Sequence, residues 1–197
     1  MRGAMSYIYI RKRRTWLSHF LILLFSLFPA SCGDEVVSNK YCSLPAHFLF
    51  TPVNSISQLN SSCNSMGEWC TIIAQNNQVL VSKPTGEPGK INITADVMYH
   101  GMYLGLSGLI VGLPNTPELG EVQPIVTCYD LACRNCYEER NTTPRLSLKE
   151  GGYAHCSKCQ RTYNLNNVGQ VNQGDAGKPL YRYRVYYGNN TLSVDNP

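Results

Sequence analysis

The chain has 197 residues, 43% of them hydrophobic and only 15% charged, with a formal net charge of +4. Five of its 17 basic residues (Arg2, Arg11, Lys12, Arg13 and Arg14) and none of its 13 acidic ones precede Cys32, so the remainder carries 12 basic against 13 acidic residues, a net −1. A chain that loses its basic excess with its first residues is not built to hold a polyanion, which removes nucleic acid from the expected partners.

The N-terminal basic cluster is followed by an apolar run from Trp16 to Phe28, then small residues and Cys32. That order predicts a secretory signal peptide over residues 1–31. The run stops at Pro29 and is shorter than the roughly 20 apolar residues that a spanning helix needs, so removal on export is expected. Phe28-Pro29-Ala30-Ser31-Cys32 resembles a bacterial lipobox, with Pro29 where that pattern usually has Leu. The resemblance implies acylation of Cys32, a polar tether over residues 32–41 that begins Gly33-Asp34-Glu35, and membrane anchorage in the bacterial cell envelope, at the outer membrane or the periplasmic face. Ordinary cleavage nearby, with Cys32 left as a spare thiol, is the alternative.

Cys32 to Pro197 is long enough for one domain with a real hydrophobic core, expected over residues 42–190 with a tail at 191–197. Low charge with abundant Tyr, Val, Thr, Asn and Gly favours an all-β fold. Short β-prone runs occur at His47 to Phe50, Trp69 to Ile73, Val79 to Val81, Ile91 to Val97, Ser107 to Val111, Pro124 to Tyr129 and Tyr181 to Tyr187, the spacing of a sandwich or barrel. Turns are signalled by Lys83 to Gly89, Pro114 to Pro117 and Asn164 to Gly169. No segment keeps a helical period beyond two turns. The glycine-spaced apolar stretch from His100 to Leu113 reads as buried strands with a tight turn, since Gly permits close backbone approach.

The strongest chemical signal is a pair of C-x-x-C motifs, Cys133-Arg134-Asn135-Cys136 and Cys156-Ser157-Lys158-Cys159, separated by 19 residues. Each motif sets two sulfurs on one side of a tight loop, and two such loops facing each other complete a tetrahedral thiolate site of the kind that holds zinc. Four thiolates around Zn²⁺ leave a net charge of −2, which Arg134, Lys158 and Arg161 are placed to offset. Two disulfides are the competing reading in an oxidising compartment. Of the other cysteines, Cys63 and Cys70 are close enough in sequence for a local disulfide, leaving Cys42 and Cys128 paired or free.

From Tyr129 onward the chain resembles a Rieske domain, a family that carries C-x-H on one loop and C-x-x-H on another. Tyr129-Asp130-Leu131-Ala132-Cys133 resembles the entry to the first loop, and Cys156-Ser157-Lys158-Cys159-Gln160-Arg161-Thr162-Tyr163-Asn164 the second. Gly169 at a turn, Gly174-Asp175-Ala176 in a loop and Pro179-Leu180-Tyr181-Arg182-Tyr183-Arg184-Val185 as a closing strand follow in the family's order. The match covers roughly residues 105 to 187. It implies a Rieske-like antiparallel β sandwich or barrel with a small metal-binding subdomain at about 128–180.

The departures fall on the ligands. Asn135 stands where the first histidine would be, with Cys136 one position later, and Cys159 replaces the second histidine. The resemblance then implies one metal centre on Cys133, Cys136, Cys156 and Cys159 without the imidazoles that couple Rieske redox chemistry to protons. Either that centre is structural zinc in a non-catalytic envelope lipoprotein with an unidentified protein partner, or it is an electron-transfer centre, a 2Fe-2S cluster or a single iron, serving a redox protein at the membrane.

Hydrolysis is not expected, because G-x-S-x-G and H-E-x-x-H are absent. His155 is the one histidine beside a motif, and a residue adjacent to such a cysteine normally points away. His47 and His100 read as surface polar residues. The N-x-S/T sequences at Asn60, Asn92, Asn141 and Asn189 read as turn residues.

Overall fold

A computed structural model describes residues 40–93 and 101–197. The expected signal peptide, Cys32, most of the expected tether, His100 and the end of the run expected at Ile91 to Val97 lie outside the described residues. Among the described residues no helix is long and apolar enough to cross a membrane.

The fold is all-β, as composition predicts. Strands β1 (Ala46–Phe50), β13 (Thr191–Asn196) and β12 (Val185–Gly188) form one sheet in that order. A six-stranded sheet runs β11 (Arg182–Tyr183), β6 (Thr127–Asp130), β5 (Leu109–Leu113), β2 (Glu68–Gln75), β3 (Gln78–Ser82) and β4 (Gly89–Asn92). A third sheet runs β10 (Gln170–Gln173), β9 (Thr162–Asn164), β8 (Tyr153–His155) and β7 (Ser147–Lys149). All the named strand pairs are antiparallel.

The central strands of the six-stranded sheet are buried on both faces, which explains their near-continuous apolar runs. Because side chains alternate, the faces serve two cores. Cys70, Ile72, Leu109, Val111 and Cys128 pack with Phe48, Leu192 and Val194 of the three-stranded sheet and with Leu59 and Cys63 of helix α1 (Ser57–Asn64). Trp69, Ile110 and Tyr129 face the opposite core with Ala154, Tyr163, Leu165 and the buried cysteines of the two motifs. Trp69 stacks on Tyr129 with ring centroids 5.9 Å apart. Gly112 makes room for this, since a Cβ there would come within 2.5 Å of the indole of Trp69.

Two hairpins turn on asparagine pairs. Asn76 and Asn77 (φ 50° and 59°) join β2 to β3, and Asn189 and Asn190 (φ 49° and 59°) join β12 to β13. Positive φ at both central residues gives the turn the twist of the strands it connects.

Two boundaries differ from expectation. Residues 191–197 are no tail: Leu192 and Val194 alternate inward from β13, which is the middle strand of its sheet. Residues 40 and 41 are tied down rather than part of a free tether, with Lys40 paired to Glu118 at 3.1 Å and Tyr41 beneath the guanidinium groups of Arg182 and Arg184. Asn60 sits inside α1, whereas Asn141 caps the end of helix α2 (Arg134–Arg140) in the left-handed region, φ 49°. Asn141 and Asn189 are thus backbone-turning residues as expected, and Asn60 is not.

Candidate metal centre

The two motifs reach the site on different supports. Cys133 leaves the end of β6 and becomes the N-cap of α2, so Cys136 lies in the first helical turn instead of a plain loop. Cys156 follows β8 and Cys159 lies in the turn to β9, closed by Cys156 N–H to the Arg161 carbonyl and Gln160 N–H to the Cys156 carbonyl, both 2.9 Å. Gln160 takes φ 60° to complete that turn.

Asp130 fixes the entry to the first motif. Its buried carboxylate accepts hydrogen bonds from the Ala132 amide (2.6 Å), the Leu106 amide (2.7 Å) and the Tyr183 hydroxyl (2.5 Å). Burial pushes its pKa up, while those donors pull it back. The Cys133 amide then donates to the Pro144 carbonyl at 3.0 Å, which holds the first cysteine against the chain that follows α2.

These supports bring the four sulfurs together, all within 4.8 Å of one another. Cys133 and Cys159 are 3.6 Å apart and Cys136 and Cys156 are 3.8 Å apart, too long for S–S bonds, and all four are free thiols. Four soft donors converging from two elements form a group that can hold one metal ion. Burial drives the Cys133 thiol up to about 11 against the pull of the Tyr163 hydroxyl and the Cys136 amide, and it raises Cys136 further. Burial also opposes ionisation of Cys159, yet the Arg161 amide and hydrogen bonds from the three other thiols bring it down to about 7.

The surroundings are as ordered as the ligands. Tyr163, fully buried, has its hydroxyl 3.1 Å from the Cys133 sulfur and accepts a hydrogen bond from Asn135 Nδ2 at 2.9 Å. Asn135 also donates to the Lys178 carbonyl and accepts from the Lys178 amide, both 2.9 Å, so its side chain staples residues 174–178 over the site. Gly177 allows this, since a Cβ there would approach Asn135 Oδ1 to 2.7 Å. Arg161 holds the same loop through the Asp175 and Ala176 carbonyls (3.1 and 3.2 Å) and pairs with Glu139 at 3.0 Å.

Of the three basic residues expected to offset the thiolate charge, Arg161 is the buried one; against the cost of burial, its pKa is raised by Glu139 first and by Cys159 after it. Arg134 turns to Glu138 and stacks on Tyr181. Lys158 is exposed at the hairpin tip. His155 bonds Thr162 Oγ1 at 3.1 Å and does not belong to the four-ligand group. His47 lies 3.4 Å from the exposed Asp195 carboxylate. The supporting roles of Asp130 and Asn135 carry no sequence motif.

Fold and site together define an all-β protein with a four-cysteine group suited to a single metal ion. No family model matches the chain, and no curated protein matches it in sequence.

Proposed function

We propose that this is an exported envelope lipoprotein, acylated at Cys32 and anchored by that lipid at the outer membrane or periplasmic face, whose Rieske-like domain is locked by one structural zinc ion and serves binding or assembly through a protein partner. The observation that carries the single-ion part of this reading is the compactness of the sulfur group. Zinc with Zn–S bonds of about 2.3 Å puts its sulfurs roughly 3.8 Å apart at the corners of a tetrahedron, and the two close pairs here measure 3.6 and 3.8 Å.

A 2Fe-2S cluster needs its two thiolate pairs on separate irons at opposite ends of a bridged core, farther apart than one tetrahedral edge. All four sulfurs within 4.8 Å therefore favour one ion over two. Four protein sulfurs also fill a tetrahedral shell, leaving no position for an activated water, which supports a structural role over catalysis. The Rieske likeness is supported by the order of parts: the β6 end, the first motif, the β8–β9 hairpin with the second, the Gly169 turn, then Leu180 N–H on the Gly169 carbonyl at 3.0 Å.

Elemental analysis and an absorption spectrum of the purified chain test this directly. A colourless protein with one zinc per chain is expected. Iron with thiolate-to-iron absorption that bleaches on reduction would replace the structural reading with electron transfer, and acid-labile sulfide would identify a cluster. Export and acylation are tested separately, by palmitate labelling that disappears in Cys32→Ala.

A further inference from the structure

We propose that Cys159 is an oxidation site for hydrogen peroxide, through which the centre is opened by formation of a Cys133–Cys159 disulfide; this rests on the zinc reading above. Cys133, Cys136 and Cys156 are each 0% exposed, whereas Cys159 is partly exposed between the exposed Ser157, Lys158 and Gln160 at the hairpin tip. Cys159 is therefore the one residue of the four that an oxidant in solvent can approach. Its sulfur lies 3.6 Å from Cys133, a partner carried by a different element. Arg161, two residues beyond Cys159, is held by Glu139 and by the Asp175 and Ala176 carbonyls, which fixes the chain on the far side of that sulfur.

The chemistry balances in two displacements. The Cys159 sulfur attacks one oxygen of the peroxide, an S–O bond forms, the O–O bond breaks, and the departing hydroxide takes a proton to become water. The Cys133 sulfur then attacks the resulting sulfenic sulfur, the S–S bond forms, the S–O bond breaks, and a second hydroxide is protonated to water. Two thiolates, one peroxide and two protons become one disulfide and two waters, with two electrons passing from sulfur to oxygen. Cys136 and Cys156 are left as the only ligands. A half-occupied shell held from α2 and the hairpin loses its ion, and the link between the two elements passes from metal to disulfide.

The test uses the full purified chain, assayed first for zinc and then titrated with hydrogen peroxide while a chromogenic chelator reads released metal. Peptide mapping of the same samples follows the cysteines. About one zinc released per peroxide consumed is expected, with Cys133 joined to Cys159 and zinc re-bound after reduction by dithiothreitol. Retention of zinc at tenfold excess peroxide overturns the proposal, as does release with Cys133 and Cys159 unjoined, or oxidation appearing first at Cys63, Cys70 or Cys128. A starting sample without zinc overturns the metal assignment instead, and its disulfide map still reports whether Cys159 reacts first and with Cys133. Mapping the wild-type chain keeps the test independent of whether Cys159→Ser folds.

Discussion

The eight described cysteines form two groups of four on opposite sides of the six-stranded sheet, and the groups treat the same side chain in opposite ways. Cys42, Cys63, Cys70 and Cys128 belong to or pack against the core that faces the three-stranded sheet. There Cys70 and Cys128 both oppose Val111, two strands apart, a separation of about 10 Å that no disulfide spans. The expected Cys63–Cys70 bridge is not formed either, and all four are free thiols. They fill space as small apolar side chains. On the other face, Cys133, Cys136, Cys156 and Cys159 come from a helix start and a hairpin turn that aim their sulfurs at one point. Burial alone makes a thiol inert, whereas convergence makes it a ligand.

The largest effect that separates the groups comes from removing one convergent sulfur. Cys136→Ser is expected to abolish stoichiometric metal binding and to cost several kcal/mol, about 3 or more, because ion binding and folding free energy are the same quantity in a small thiolate site. Metal analysis with urea unfolding checks it, and a variant that kept both its metal and its stability would dissolve the distinction. The matching change in the other group is Cys128→Ser, which buries a hydroxyl in an apolar core at a cost of about 1–3 kcal/mol. Its metal content should stay at the wild-type value. A loss of metal there would mean that the two cores are not independent.

How far these groups were legible in the sequence follows from the same contrast. The convergent four announce themselves by matched spacing, because a C-x-x-C turn is a local constraint. The all-β class is legible where Val and Ile runs fill strands buried on both faces. Strand β13 is also legible, since Leu192 and Val194 alternate with Ser193 and Asp195, and the expectation of a tail passes over that period. Strands β7 to β9 are three residues each and mix polar with apolar side chains, too short to show a period. Helix α1, Ser-Gln-Leu-Asn-Ser-Ser-Cys-Asn, has only Gln58 and Leu59 among strong helix formers. It is held by burying Leu59, Ser62 and Cys63, a tertiary cause that local sequence does not encode. Asn135 is visible only as a missing histidine. Its work on Lys178 depends on a loop 43 residues away.

Tyr163→Phe sharpens the comparison at the level of what surrounds the sulfurs. The variant keeps the ring in its core but removes the hydroxyl that contacts Cys133 and accepts from Asn135. Metal affinity is expected to fall on the order of 10-fold, the usual cost of losing a partner that orients a ligand. Competition with a chelator of known affinity measures it. An unchanged affinity would show that four sulfurs suffice without their neighbours.

The smallest effect distinguishes the groups by pH. Burial, with the neighbouring Cys70 adding to it, lifts the Cys63 thiol from 9.0 to about 12, and burial lifts Cys70 to about 12 against a hydrogen bond from Ser62. Below pH 9 these thiols are protonated both folded and unfolded, so they impose no pH dependence. Between 9 and 12 the unfolded chain gives up the proton and the folded chain keeps it, so stability falls as pH rises. Cys63→Ala should flatten that fall, by under about 1 kcal/mol at pH 9.5. Metal-bound thiolates have already released their protons, so the convergent group weakens toward acid, where protons compete with the ion. Urea unfolding of wild type and Cys63→Ala from pH 7 to 10 reads the slope. Parallel curves would mean that Cys63 ionises as easily inside the core as outside it.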